Sequence, residues 1–114
     1  MAISELYSGT EAISTTEHSL TTDTAGPDAD TTDGVIQCWL DLSDMVAGDE
    51  LQIRLYEKVT SGGTQRVTEE WSFFGAQANP HWASPATILL HGWDFTADAI
   101  AGTITLNWSI RTVA

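Results

Sequence analysis

Positive charge is scarce in this chain. Four Lys and Arg stand against sixteen Asp and Glu, for a formal net charge of −12. That balance argues against nucleic acid as a partner, because binding phosphates takes a basic face that so few cations do not make. It also argues against anionic membrane surfaces. A single cysteine, Cys38, leaves no disulfide framework and no multi-cysteine zinc site. No apolar run approaches the length of a membrane span; the longest lies around Ala86 to Leu90. The first residues, MAISELYSG, have neither a basic n-region nor an apolar h-region and do not read as a signal peptide. No G-x-S-x-G nucleophile elbow is present.

What is there is alternation. Leu51, Ile53 and Leu55 alternate with Gln52, Arg54 and Tyr56, the period of two of a half-buried strand. Ser61-Gly62-Gly63 supplies residues that tolerate positive φ in a turn, and Gln65 to Phe74 returns with an aromatic end. This hairpin is expected at the centre of a sheet. It also carries Arg54, Lys58 and Arg66, three of the four basic residues. Val35 to Leu42 places Ile36, Cys38, Leu40 and Leu42 on one face. Gly102 to Val113 does the same with Ile104, Leu106, Trp108 and Ile110. Ala86 to Phe95 reads as a strand buried on both faces, followed by a turn over Asp98 to Gly102. Ser43 to Asp49 reads as a connection with one helical turn ended by Gly48. Residues 2–20, rich in Ser and Thr, suit an edge strand or an arm laid on another surface. Thr21 to Gly34 is a turn-rich loop with Gly26-Pro27 and four aspartates. The length of 114 residues is one domain on size alone. The expectation is therefore all-β: a single-domain antiparallel β-sandwich or jelly roll of roughly six to eight strands.

Candidate sites are few. Asp28, Asp30, Asp33 and Gly34 give D-x-D-x-x-D-G, one residue off the EF-hand pattern and without its bidentate glutamate. A solvated loop is the expectation there, and no metal. His18, His81 and His91 lie in three segments without zinc spacing. Glu69 and Glu70 point to opposite faces of a strand, so they cannot act as a carboxylate pair. Cys38 shares a face with Ile36 and Leu40, as an inert core thiol would. No cofactor and no catalytic residue is expected.

The five tryptophans carry the most information. Trp108 is in phase with Ile104, Leu106 and Ile110 and belongs to the core. Trp39 and Trp71 are out of phase or at a strand end, and Trp82 lies between Pro80 and Pro85. An interface between subunits suits Trp39 and Trp71, tryptophan being enriched there, and Trp82 is expected to plug a barrel end or meet a partner; an interface is favoured over a sugar-stacking platform. Leu6 and Tyr7 of the N-terminal segment, with Arg54 and Arg66 as cations, complete the candidate oligomer or shell interface.

Several stretches together resemble a known group. They are Glu5-Leu6-Tyr7-Ser8-Gly9, Ser14-Thr15-Thr16-Glu17, Tyr56-Glu57-Lys58-Val59 and Thr64-Gln65-Arg66. Ser84-Pro85, Leu89-Leu90-His91-Gly92-Trp93-Asp94 and Trp108-Ser109-Ile110-Arg111 extend the likeness to near the C-terminus. The chain resembles small virion structural proteins of tailed bacteriophages, which are similar to capsid decoration, or cement, proteins. That resemblance implies a non-enzymatic β-sandwich, assembled as a homotrimer on the outer surface of the capsid and bridging subunits of the major capsid protein. Tail or fibre subunits, and receptor- or carbohydrate-binding modules, are built from similar β domains and stand as alternatives. Charge is lopsided in a way that fits docking on a complementary surface. Eleven acids and no Lys or Arg precede Arg54, and the remaining five acids accompany all four bases.

Overall fold

In the computed structural model, which describes residues 2–113, ten strands form two five-stranded antiparallel sheets. The fold is an all-β sandwich. The first sheet runs β1-β10-β4-β7, with β8 also paired to β4. It uses β1 (Ile3–Ile13), β4 (Gly34–Asp41), β7 (His81–Ala83), β8 (Thr87–Leu89) and β10 (Ile104–Val113). The second runs β3-β2-β9-β5-β6, from β2 (His18–Ser19), β3 (Thr24–Ala25), β5 (Glu50–Glu57), β6 (Arg66–Phe74) and β9 (Asp94–Ala101).

Alternation decides which side chains meet. Ile36, Cys38 and Leu40 of β4 and Ile104, Leu106, Trp108 and Ile110 of β10 point inward from the first sheet. Leu51, Ile53 and Leu55 of β5 meet them from the second, with Phe95, Ala97 and Ala99 of β9 alongside. Leu42 and Met45 extend the core at one end. These side chains form one buried cluster, whose removal from water is the main favourable contribution to a fold of this kind.

The N-terminal segment is an edge strand. β1 pairs with β10 from Ile3↔Val113 to Ile13↔Ile104, and a register shift between Glu5 and Tyr7 leaves Leu6 as the extra residue of a bulge. The bulge resets the phase, so Tyr7, Gly9, Glu11 and Ile13 oppose inward-facing residues of β10. Gly9 lies over Trp108: a Cβ there would sit 2.5 Å from Cζ2 of the indole.

Four expectations are corrected. The strand buried on both faces is not Ala86 to Phe95. β8 ends at Leu89, Ile88 is 82% exposed, and a bend at His91–Gly92 precedes β9. Burial on both faces belongs to Asp94, Phe95 and Thr96, because the segment from Glu17 to Asp30 folds over the outer face of β9. The turn placed at Asp98 to Gly102 comes later, since β9 continues to Ala101. The expected helical turn at Ser43 to Asp49 is a pair of turns, closed by Met45 N–H on Leu42 O and by Asp49 N–H on Val46 O. The β5–β6 hairpin places β5 inside its sheet but β6 at the edge, and neither Gly62 nor Gly63 adopts positive φ.

Candidate functional site

Register on the outer face of the first sheet builds three rows of side chains. Thr10, Asn107, Asp41 and His81 form one row across β1, β10, β4 and β7. Ser8, Ser109, Trp39 and Ala83 form the next, and Glu5, Arg111 and Gln37 the third. Between the first row and Trp39 lies a shallow depression of about 210 Å³, lined also by Ser109 and Arg111.

Trp39 is fixed in place. Its indole Nε1–H donates to Gln37 Oε1 at 2.9 Å, and Gln37 Nε2 donates to Ser84 O at 2.7 Å. The guanidinium of Arg111 stands 4.6 Å from the ring centroid, a cation–π contact, and its Nε donates to Ser109 Oγ at 3.1 Å. Ser109 in turn donates to Glu5. Asn107 accepts from the Thr10 hydroxyl, which leaves its NH₂ on the far side of the amide.

The outer face of the second sheet is a different environment. Arg54 is held by Glu70 at 2.9 Å, Glu17 at 3.4 Å and Asp98 at 3.6 Å. Glu17 also accepts from the hydroxyls of Tyr56 and Thr96. Burial, together with the hydrogen bond to Glu17, pushes the Tyr56 phenol up to about 12. Asp98 is pushed upward by burial against the pull of Arg54, and its buried Oδ1 has no hydrogen-bond donor. One cation among three carboxylates leaves no positive charge to offer a partner, and the network as a whole stays acidic.

The sequence-predicted residues fall on separate surfaces. Trp39 lies on the outer face of the first sheet and Arg54 on the outer face of the second. Trp71 and Trp82 point toward the core and meet edge-on at 5.1 Å, with Phe73 5.3 Å from Trp82. They seal the rim between β6 and β7. Leu6 and Tyr7 also pack against the core, and Tyr7 donates its hydroxyl to Asp30. Arg66 is exposed at the start of β6. Trp71 and Trp82 are brought together; Trp39, Arg54 and Arg66 are not brought to them.

No known-family profile matches the chain, and no curated protein matches it in sequence. Its structure is similar to the crystal structure of PirA, with a TM-score of 0.52 and 11% identity. The likeness covers 93% of this chain and 92% of that one. At that identity the likeness is one of fold, and the fold is the β-sandwich described above.

The aspartate-rich loop is not simply solvated. Asp28 accepts from the hydroxyls of Thr22 and Thr24, while Asp30 accepts from Tyr7 and from Thr32 N–H. Asp28 N–H and the Thr21 hydroxyl both donate to the fully buried carboxylate of Asp94, at 2.8 and 2.9 Å. Elsewhere the fold gathers Glu11, His18 and Asp23, whose ligand atoms lie within 4.8 Å of one another. Linear spacing hides that group because Glu11 lies in the first sheet, His18 in the second and Asp23 in the turn between β2 and β3. His18 packs edge-on to Trp108 at 5.8 Å and pairs with Asp23 at 2.7 Å. His81 is exposed, and Cys38 is buried in the core, where burial pushes its thiol up.

Asp94 gives a pH prediction. Burial raises its carboxyl above the ordinary range, against the opposing pull of the bonds from Asp28, Ser19 and Thr21. The folded state therefore holds this proton more tightly than the unfolded chain does. The stabilisation is full below the ordinary carboxylate range and is lost as pH rises through the raised value. Asp94→Asn removes that titration. The stability difference between wild type and variant should move in favour of the variant as pH rises from about 4 to 7. Urea midpoints measured across that range check it; a difference independent of pH contradicts it.

Proposed function

We propose that this chain is a non-enzymatic virion protein that decorates the outer surface of a phage capsid and bridges subunits of the major capsid protein. The resemblance carried by Glu5 to Gly9, Tyr56 to Val59 and Leu89 to Asp94 supplies the biological setting. The single observation that carries the reading physically is β1. It is an eleven-residue strand paired only on its β10 side. Its sequence, ISELYSGTEAI, holds no Lys and no Pro, and Glu5, Glu11 and the bulge at Leu6 are the edge-blunting features it has among the described residues. Free edges of this length are normally blunted by charge, proline or short strands, because the unpaired backbone groups recruit another chain. Seven residues in unbroken register beyond the bulge, Tyr7 to Ile13, still leave a long edge of unpaired backbone groups, which suits a surface that another chain covers.

The second sheet ends on β6, another edge strand of nine residues. It lies beside β7, on the side of the sandwich away from β1. Two open edges on opposite sides favour head-to-tail contacts between copies, which close into a ring when the rotation allows. A homotrimer is the form proposed. Reinforcement follows from mass action, since a protein that binds only assembled shell stabilises that state.

The test is an image reconstruction of intact virions, paired with binding of the purified protein to undecorated heads. Density at symmetry axes between shell subunits, with saturable binding to heads, is the expected result. Density at a tail tip or fibre overturns the proposal and assigns the chain to the tail.

A further inference from the structure

The geometry points to a saccharide subsite on the outer face of the first sheet, in the depression between Trp39 and the Asn107–Asp41–His81 row. This goes beyond the decoration role and does not depend on it.

A pyranose ring has an apolar face of C–H groups and a rim of hydroxyls that each donate and accept. Its receptor needs a flat, rigid apolar surface next to unspent polar groups. Trp39 supplies the first. Its ring is held by Gln37 and covered on one face by Arg111, which leaves the other face for a ligand to stack on at little cost in rotamer freedom. The neighbouring row supplies the second. With Asn107 Oδ1 engaged by Thr10, the amide NH₂ has no acceptor among the described residues. Asp41 accepts at Oδ1 from Ser43 N–H at 2.9 Å, with the Ser43 hydroxyl also beside the carboxylate, and its Oδ2 lies 3.9 Å from the His81 ring. A double donor, an anionic acceptor and an imidazole thus stand in register on three adjacent strands, facing one aromatic wall.

Size and charge narrow the ligand. A depression of about 210 Å³ falls below the roughly 300–1,000 Å³ of pockets for drug-sized molecules, and so holds one ring of a longer chain. The formal charge of −12, with Asp41 and Glu5 outnumbering Arg111 on this face, disfavours uronic, sialic and sulfated sugars. The ligand class is therefore a neutral hexose or N-acetylhexosamine, bound with the millimolar affinity usual for a single exposed ring.

The probes are the methyl glycosides of glucose, galactose, mannose and N-acetylglucosamine, with heparin as the anionic control. Each is titrated into the full-length protein at tens of millimolar and followed by backbone amide NMR shifts. A saturable shift with at least one neutral sugar, confined to residues 39, 41, 81, 107 and 109, is expected, with none from heparin. Trp39→Ala and Asn107→Ala should each weaken binding about tenfold, while their thermal unfolding stays close to wild type because both side chains face outward. Two results overturn the inference: no shift in the groove with any of the four sugars, or undiminished binding by Trp39→Ala. Neither touches the decoration proposal, which is decided on virions.

Discussion

Trp108→Ala should be among the most damaging single substitutions in this protein, at about 3–5 kcal/mol. The indole is 4% exposed, and it sits where β10 faces the second sheet. Gly9 lies against one part of it, His18 meets it edge-on, and its Nε1–H donates to Leu20 O at 2.8 Å. Truncation leaves a large cavity, because Gly9 is already in contact and has no side chain to fill the space. It also strips a buried carbonyl of its donor, which adds about 1 kcal/mol or more. Against the 5–15 kcal/mol total usual for a native domain, about a third of the stability is at stake. Thr105→Ala, outward on the same strand, should stay within about 0.5 kcal/mol. Urea titrations of the two variants beside wild type check this. Equal shifts in midpoint would mean that Trp108 is not a core residue.

Three of the long strands were legible in the sequence because period two survives in them over five to seven residues. β4, β5 and β10 follow the alternation of Ile36 to Leu42, Leu51 to Leu55 and Ile104 to Ile110. β2, β3, β7 and β8 have two or three residues each, too few to show any period. Their existence is decided by what they pair with. The apolar run at Ala86 to Phe95 misleads for a specific reason. Ile88 pairs with Val35 on the outer face of the first sheet, where both are exposed, so hydrophobicity there does not report burial. The loop at Thr21 to Gly34 misleads in the opposite sense. Its Thr and Asp residues read as solvated, yet they cover β9 through hydrogen bonds to Asp94.

The candidate site divides in the same way. Trp39 announces itself by being out of phase in an otherwise regular strand. The row of Asn107, Asp41 and His81 cannot be read from the sequence, because it exists only once three strands distant in the chain are set in register. The Arg54 network hides for a similar reason. Arg54 reads as a free cation in a hairpin, but Glu17 reaches it from the segment before β2 and Asp98 from β9. Charge counted along a chain does not reveal which charges are already neutralised across a sheet.

Deleting residues 2–20 should abolish folding outright. The deletion takes away all of β1 and β2, and with them Ile13 and Leu20, each 1% exposed in the core. It opens β10 along its whole length, uncovers Trp108 and leaves the indole N–H without its acceptor. Glu17 goes too, so Tyr56, Thr96 and Arg54 lose their shared partner. Each core loss alone costs about 2–5 kcal/mol, and together they exceed the stability of a domain this size. The truncated chain should show no cooperative unfolding transition and should aggregate through the exposed edge of β10. A soluble product with a sharp transition would mean that the segment is a detachable arm. Deleting only residues 2–5 separates the edge from the fold. That cut stops before the bulge at Leu6, spares every core residue and removes only the outermost pairs, from Ile3↔Val113 to Glu5↔Arg111. Stability should fall by about 1 kcal/mol or less, as fraying termini contribute little. Binding to undecorated heads should weaken far more than that if β1 is the strand that a shell subunit covers. Full binding by the shortened chain would place the contact elsewhere on the sandwich.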